Sequence, residues 1–295
     1  MITGRELTKL YDQVPALDHI SFDFPDSRII GIIGHNGAGK TTMLKILSGL
    51  IIPTSGELSI DGIDVVKDPD AVKSILGYLP EESRLYETMT VDEYLRFFGE
   101  IYGLDRETIT GRRNDLLDSL ALETDGKKIG EFSKGMKRKV AIARSLIHDP
   151  SILIYDEPTS GLDPMTSRYI IGYLKELKNR KKTIILSAHN LYQVEAICDE
   201  VMILRRGKMV AMGNMNELRE MFGSISYTIS FLIDDISSIR GCREYTYEGG
   251  LYHIPAESIA ELNKCTGIIT ANGGKVERIE SHYPSLEEML VKVGK

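Results

Sequence analysis

The sequence predicts an α/β fold: a mixed, mainly parallel sheet covered on both faces, preceded by an N-terminal antiparallel β subdomain and followed by a small C-terminal α+β domain. Three observations predict it. Apolar runs that read as buried strands (29–33, 151–156, 183–186 and 200–204) alternate with stretches of helical periodicity. The segment Gly34-His35-Asn36-Gly37-Ala38-Gly39-Lys40-Thr41-Thr42 sits where the first of these strands turns into a helix. From about Gly223 the texture changes to alternating strands and short helices with no chemical motif.

Residues 1–33 read as β-rich, with Leu17, Ile20, Phe22 and Phe24 alternating into a turn at Pro25-Asp26. Tyr11 lies in a loop-like stretch, where its ring either stacks on a purine base or packs on the sheet edge. The glycine-rich segment has the G-x-x-x-x-G-K-[ST] spacing of a phosphate-binding P-loop, so the core reads as a P-loop NTPase. Gly34, Gly37 and Gly39 allow backbone N–H groups to turn toward phosphate oxygens, helped by the helix dipole. Lys40 would neutralise the outer phosphates of a nucleoside triphosphate, and the Thr41 hydroxyl would complete a Mg²⁺ shell.

The helix from Met43 to Leu50 is broken by Gly49 and Pro53–Gly56. A strand at 57–60 meets a turn signal, Asp61-Gly62, and a further strand at 75–79 ends in Pro80-Glu81-Glu82. Thr90 and Glu93 form a capping box that opens a helical insert over about 85–131. Its aromatic stripe reads as core or, in part, as a docking groove. Ser133 opens a helix running to His148, and the strand 151–156 ends in two carboxylates, Asp156 and Glu157. Asp163-Pro164 is a helix cap with proline at the first position. His189 follows the strand 183–186, and 200–204 is the last core strand, closed by Arg206-Gly207. The appendage, 223–295, contains strands at 224–233 and 245–252, a helix at 256–271, a turn at Gly273-Gly274 into a strand at 275–280, and a helix opened by Pro284-Ser285. The expected domains are therefore 1–222 and 223–295.

Bulk properties exclude several classes. The net charge of -7, with basic runs confined to 134–139 and 178–182, argues against a nucleic-acid surface. No apolar run approaches the roughly 18 residues that span a bilayer, and the first residues carry no signal peptide. The protein is expected in the cytoplasm, with any membrane role supplied by a partner. The three cysteines, Cys198, Cys242 and Cys265, offer neither a metal pattern nor a disulfide framework.

Ligands of doubly covered sheets bind beyond the carboxyl ends of the strands. The P-loop, Asp156-Glu157 and His189 all fall at such ends. Triphosphate hydrolysis needs a phosphate cradle, a metal, an in-line water and charge stabilisation. Gly34–Lys40 supplies the cradle, and Thr41 with Asp156 would hold Mg²⁺. Glu157 can polarise the attacking water, and His189 can bond the terminal phosphate.

These motifs resemble, in order over about residues 3–220, the nucleotide-binding subunit of an ATP-binding-cassette (ABC) transporter. GHNGAGKTT is similar to Walker A, with His35 where proline is usual, and SILIYDEP to Walker B followed by the catalytic Glu157. SGLDP resembles the D-loop around Asp163, and SAHN the switch histidine, His189. The resemblance implies that Tyr11 stacks on adenine. The family signature, usually Leu-Ser-Gly-Gly-Gln, stands here as Phe132-Ser133-Lys134-Gly135-Met136. The retained Ser133 and Gly135 are those that, in the family, touch the γ-phosphate across a dimer, with Lys134 placed near that phosphate. Glu81 takes the place of the Q-loop glutamine and is expected to bind the metal and link it to the helical insert.

The resemblance further implies two cassettes, as a homodimer or heterodimer, closing head-to-tail on two ATP molecules and driving integral membrane permease subunits. The chain would lie peripherally on the inner face of the membrane. The loop at Glu81-Glu82, the single cassette and the short appendage resemble exporters of drugs, antibiotics, peptides or ions rather than importers. The alternative is an ABC ATPase without a membrane partner, acting on ribosomes or DNA. Ribosome-acting members usually carry two cassettes, and DNA-repair members carry long coiled-coil inserts; this chain has neither.

Overall fold

The computed structural model describes residues 1–223, 225–239, 241–242 and 244–294, with side chains through Val291. The chain divides into two compact units, Met1–Met215 and Asn216–Lys295.

The first unit opens with β1 (Ile2–Tyr11) and β2 (Val14–Phe24), an antiparallel hairpin. Asp12 and Gln13 join them with φ of 46° and 67°. Two successive positive φ values are what a tight hairpin turn requires. Tyr11 thus ends a strand paired with Val14 and does not lie in a loop, because the turn chemistry extends the ladder past the last apolar alternation. Next come β3 (Ile29–Ile33), α1 (Lys40–Leu47), β4 (Ser55–Ile60), β5 (Ile63–Asp64), α2 (Pro69–Ile75) and β6 (Leu76–Leu79). An antiparallel sheet forms in the order β2-β1-β4-β5. Helix α2 was not foreseen: capped by Asp68, with proline at its start and only Val72 buried, it is too short to show a period.

The insert holds α3 (Val91–Ile101) and α4 (Arg106–Ser119), capped by Thr90 and Asp105. After it follow α5 (Lys134–Leu146), β7 (Ile152–Asp156), α6 (Pro164–Asn179), β8 (Thr183–Ser187), α7 (Leu191–Ile197), β9 (Glu200–Arg205) and β10 (Lys208–Gly213). A six-stranded sheet runs in the order β10-β9-β3-β8-β7-β6. All neighbours are parallel except β9 and β10. β3, β7 and β8 are buried along their whole length, which explains their unbroken apolar character. The expected last core strand, β9, is followed by the edge strand β10, whose partial exposure hides it among polar residues.

Helix α1 is sandwiched in this core. Met43, Leu44 and Leu47 share a cluster with Ile30, Ile32, Ile154 and Ile185 of the large sheet and with Leu17, Ile20 and Phe24 of β2. Each such side chain contributes about 1.5–3 kcal/mol on full burial. The helix that starts at the P-loop is therefore fixed from both sides.

The second unit contains α8 (Met215–Phe222), β11 (Ser226–Leu232), β12 (Thr246–Glu248), β13 (Leu251–Ala256), α9 (Ile259–Ala271), β14 (Lys275–His282) and α10 (Leu286–Gly294). Nearly all of α8 belongs to this unit, whereas the sequence places the change of texture after it. A helix-ending glycine is legible locally; the packing partner of the helix is not. The antiparallel sheet runs β12-β13-β11-β14, and α9 contacts its three neighbouring strands β11, β13 and β14. The single strand expected over 245–252 is a hairpin turning at Gly249-Gly250. Ser224, expected in the first strand of this unit, lies outside the described residues. Among the described residues no helix is long and apolar enough to cross a membrane.

Candidate active site

The parallel register sets the site. Ser187, the last residue of β8, pairs with Ile32 of β3 on one side and Asp156 of β7 on the other. The P-loop, Asp156-Glu157 and the loop carrying His189 therefore leave the sheet at one edge.

In the P-loop, Gly39 is the N-cap of α1 at φ 107°, and no side chain caps the helix. A Cβ on Gly39 would fall 2.5 Å from the Ala16 carbonyl oxygen. Only glycine fits between the loop and β2. Lys40, Thr41 and Thr42 are the first residues of α1, so their N–H groups have no acceptor within the helix and face an anion site with a favourable dipole. His35, Asn36 and Gly37 are exposed at the loop tip, and Ala38 is buried. The Ala16 contact also brings the β1–β2 hairpin, with Tyr11 at its end, beside this loop. Tyr11 is half-exposed, with Lys9 Nζ 5.3 Å from its ring centroid.

Lys40 is buried, and its Nζ donates to the carbonyl oxygens of Gly34 at 2.8 Å and His35 at 3.3 Å. Burial pushes its pKa down, while the charges of Glu157, Asp156 and Glu81 oppose that shift. Three carboxylate charges thus act on one lysine.

Asp156 is buried and accepts a hydrogen bond from the Ser187 hydroxyl at 2.5 Å. The same Ser187 oxygen accepts from the Glu157 amide at 3.0 Å. Ser187 thereby orders both carboxylate residues; its hydroxyl carries no signal in the sequence that separates it from any strand-end serine. Glu157 has φ 48°, a left-handed conformation for a residue with a side chain. Such strain costs on the order of 1–3 kcal/mol and concentrates at functional sites. Its carboxylate is buried to 8% exposure and lies 2.5 Å from His189 Nε2. Burial raises the Glu157 pKa, His189 opposes this, and Glu81 and Asp156 raise it further. A carboxylate with raised basicity, held beside His189, can take a proton from water.

The second set of expected residues, Ser133, Gly135 and Asp163, is held differently. The Ser133 hydroxyl caps α5 by accepting from the Met136 amide at 3.3 Å. Asp163 caps α6 by accepting from the Thr166 amide at 2.9 Å. A Cβ on Gly135 would lie 3.1 Å from Thr166, so the first turns of α5 and α6 touch. Lys134 reaches back within its own chain: its Nζ lies 2.1 Å from where a side chain on Gly161 would begin. The expectation that Lys134 sits near phosphate did not foresee this contact with the SGLDP loop.

The local sequence marks Arg138 only as a residue within a helix. It is buried, and its guanidinium bonds backbone carbonyls on both sides of the site. The residues expected to hold a metal, Thr41, Asp156 and Glu81, would offer only hard oxygens. Such sets suit Mg²⁺, which takes few protein oxygens and shares phosphate ligands.

Comparison with known proteins identifies the family. Residues 17–160 match the model of the ABC transporter family. The chain is 42% identical over 209 residues to the ABC transporter ATP-binding protein NatA of Bacillus subtilis, covering 70% of this chain and 85% of that protein. It is 35% identical over 234 residues to the linearmycin resistance ATP-binding protein LnrL of the same organism, covering 78% and 75%. Its fold matches a dimeric post-hydrolysis structure of the ATP-binding cassette MJ0796 bound to ADP and Pi, with a TM-score of 0.67, 26% identity, and 73% and 99% of the two chains covered. These relatives do not favour the alternative of a ribosome- or DNA-associated ATPase. The match over residues 17–160 and the 42% identity shared with a relative over 70% of this chain show that the chain belongs to the ABC transporter family, as an ATP-binding and ATP-hydrolysing subunit that energises a transporter.

Proposed function

We propose that the chain drives export of a drug, antibiotic, peptide or ion through integral membrane permease subunits, with Glu157 as the general base of ATP hydrolysis. The observation that carries the chemistry is the pairing of the buried Glu157 carboxylate with His189 at 2.5 Å. Glu157 accepts the proton of the attacking water, and His189 orients that carboxylate and bonds the terminal phosphate. Lys40 and the first amides of α1 hold the outer phosphates, and Tyr11 stacks on adenine. Thr41, Asp156 and Glu81 would hold Mg²⁺, which would neutralise developing charge on the phosphates. Ser133, Gly135 and Asp163 belong to the half-site that a second copy, or a related subunit, presents to this P-loop. Likeness to a resistance protein supports the export direction. The chain would then work in the cytoplasm, peripherally on the inner face of the membrane.

The test is Glu157→Gln in the full chain. It should keep ATP binding, lose turnover and accumulate as an ATP-bound dimer in size-exclusion chromatography. Full activity together with a monomer in ATP would refute the assignment of the base. Co-purification with a permease encoded nearby, and export by the pair in vesicles, tests the transport direction.

A further inference from the structure

Arg138 lies on α5 and is buried to 7% exposure. Its five N–H groups meet five main-chain carbonyls. Nε donates to Pro158 O at 2.9 Å. One terminal nitrogen donates to Pro80 O at 2.7 Å and Glu81 O at 2.9 Å. The other donates to Asp156 O at 3.0 Å and Glu157 O at 2.6 Å. A guanidinium has five donors in a fixed plane, so this set saturates it. A sixth contact, to Ser83 Oγ, is longer at 3.5 Å. No carboxylate forms an ion pair with it among the described residues; the buried cation is held mainly by backbone carbonyls, an arrangement that is costly unless its geometry is complete.

The carbonyls come from two segments. Pro80-Glu81 follows β6 and enters the helical insert; Asp156–Pro158 closes β7 and contains the strained Glu157. The third participant, α5, starts at Ser133. One planar group therefore joins the Glu81 loop, the Glu157 backbone and the helix of the signature residues. Lysine cannot replace it: a single ammonium has three donors and no planar fork.

We propose that Arg138 is a positioning residue for hydrolysis: it holds the Glu157 backbone in its left-handed conformation and locks it to the Glu81 loop, so that movement of that loop moves the catalytic carboxylate. This rests on the reading of Glu157 as general base. The consequence is a split in kinetics. Interactions that position a group only for the chemical step lower kcat and leave binding intact.

The test uses the full chain with Arg138→Lys and Arg138→Gln, each alone and combined with Glu157→Gln. A misplacement of about 1 Å costs about 10²-fold in rate, so kcat should fall by about that factor while KM for ATP and affinity for ADP stay within about threefold. In the Glu157→Gln background neither Arg138 substitution should lower the residual rate further, because the group it positions is gone. Unchanged kcat in the two single variants overturns the proposal, as does a full multiplicative loss in the double variants. If Glu157→Gln itself is fully active, the base assignment fails instead, and the two failures are distinguishable. Should the Arg138 variants not fold, hydrogen exchange on the unaltered chain decides. Amides at 81–83 and at 156, 157 and 159 should gain protection together on adding ATP, and independent responses overturn the proposal.

Discussion

The two units are both sheets with helices, yet they spend their residues differently. In the first, fully buried parallel strands are mainly apolar and end at one edge, where Asp156, Ser187 and the P-loop lie. In the second, antiparallel strands are only partly buried, around a small core of Ile229, Phe231, Ile254, Cys265 and Ile269. Parallel sheets place all carboxyl ends on one side, so polar residues at those ends converge. An antiparallel sheet sends neighbouring strand ends to opposite sides, and no comparable convergence follows. The difference teaches that sheet direction, more than composition, decides where chemistry gathers.

Four measurements sharpen or break this contrast. The largest effect is expected for Glu157→Gln, with ATPase activity falling about 10²–10⁴-fold while the thermal midpoint stays put. A parallel loss of stability would mean that the residue serves the fold as much as the chemistry. Next, Phe231→Ala removes a fully buried ring from the second unit's core. It should cost that unit about 3–5 kcal/mol in denaturant unfolding, with ADP affinity unchanged, since every expected nucleotide ligand lies in the first unit. Weakened nucleotide binding would tie the two units together. Thr90→Ala removes the side chain that accepts from the Glu93 amide at 3.3 Å at the start of α3. A loss of about 1 kcal/mol is expected, read as earlier melting of the insert with kcat retained.

The smallest effect at neutral pH concerns His148, stacked on Tyr102 with ring centroids 3.7 Å apart. Its Nε2 meets the Leu76 carbonyl at 3.1 Å, and its Nδ1 has no hydrogen-bond partner among the described residues. Burial lowers its pKa from 6.5 to about 4, with the Leu76 bond opposing. The unfolded chain therefore binds this proton first on acidification, so stability is fully present above about pH 6.5 and declines as pH falls toward 4. Comparing thermal midpoints at pH 7 and 5, His148→Phe should show a smaller acid loss than the unaltered chain. An equal loss would assign the acid sensitivity elsewhere.

Much of the first unit was legible because its signals are local. The P-loop spacing, the Thr90–Glu93 capping box and the Asp163-Pro164 cap each encode backbone geometry within a few residues, and each stands in the structure at its expected place. Elements with weak local signals were missed or misread: α2 with one buried side chain, the edge strand β10, and the hairpin of β12 and β13 read as one strand.

By itself, then, the sequence determined that a triphosphate loop sits between a buried strand and a helix, and that Asp156, Glu157 and His189 fall at the carboxyl ends of strands. Tertiary structure alone decided which groups organise them. Ser187 meets Asp156 through the register of two parallel strands. Lys134 rests on Gly161, and Arg138 joins carbonyls from 80–81 and 156–158. The physical reason is one of range. Spacing along the chain fixes torsions and helix faces, whereas a buried guanidinium finds its carbonyls only when segments far apart in sequence are packed together.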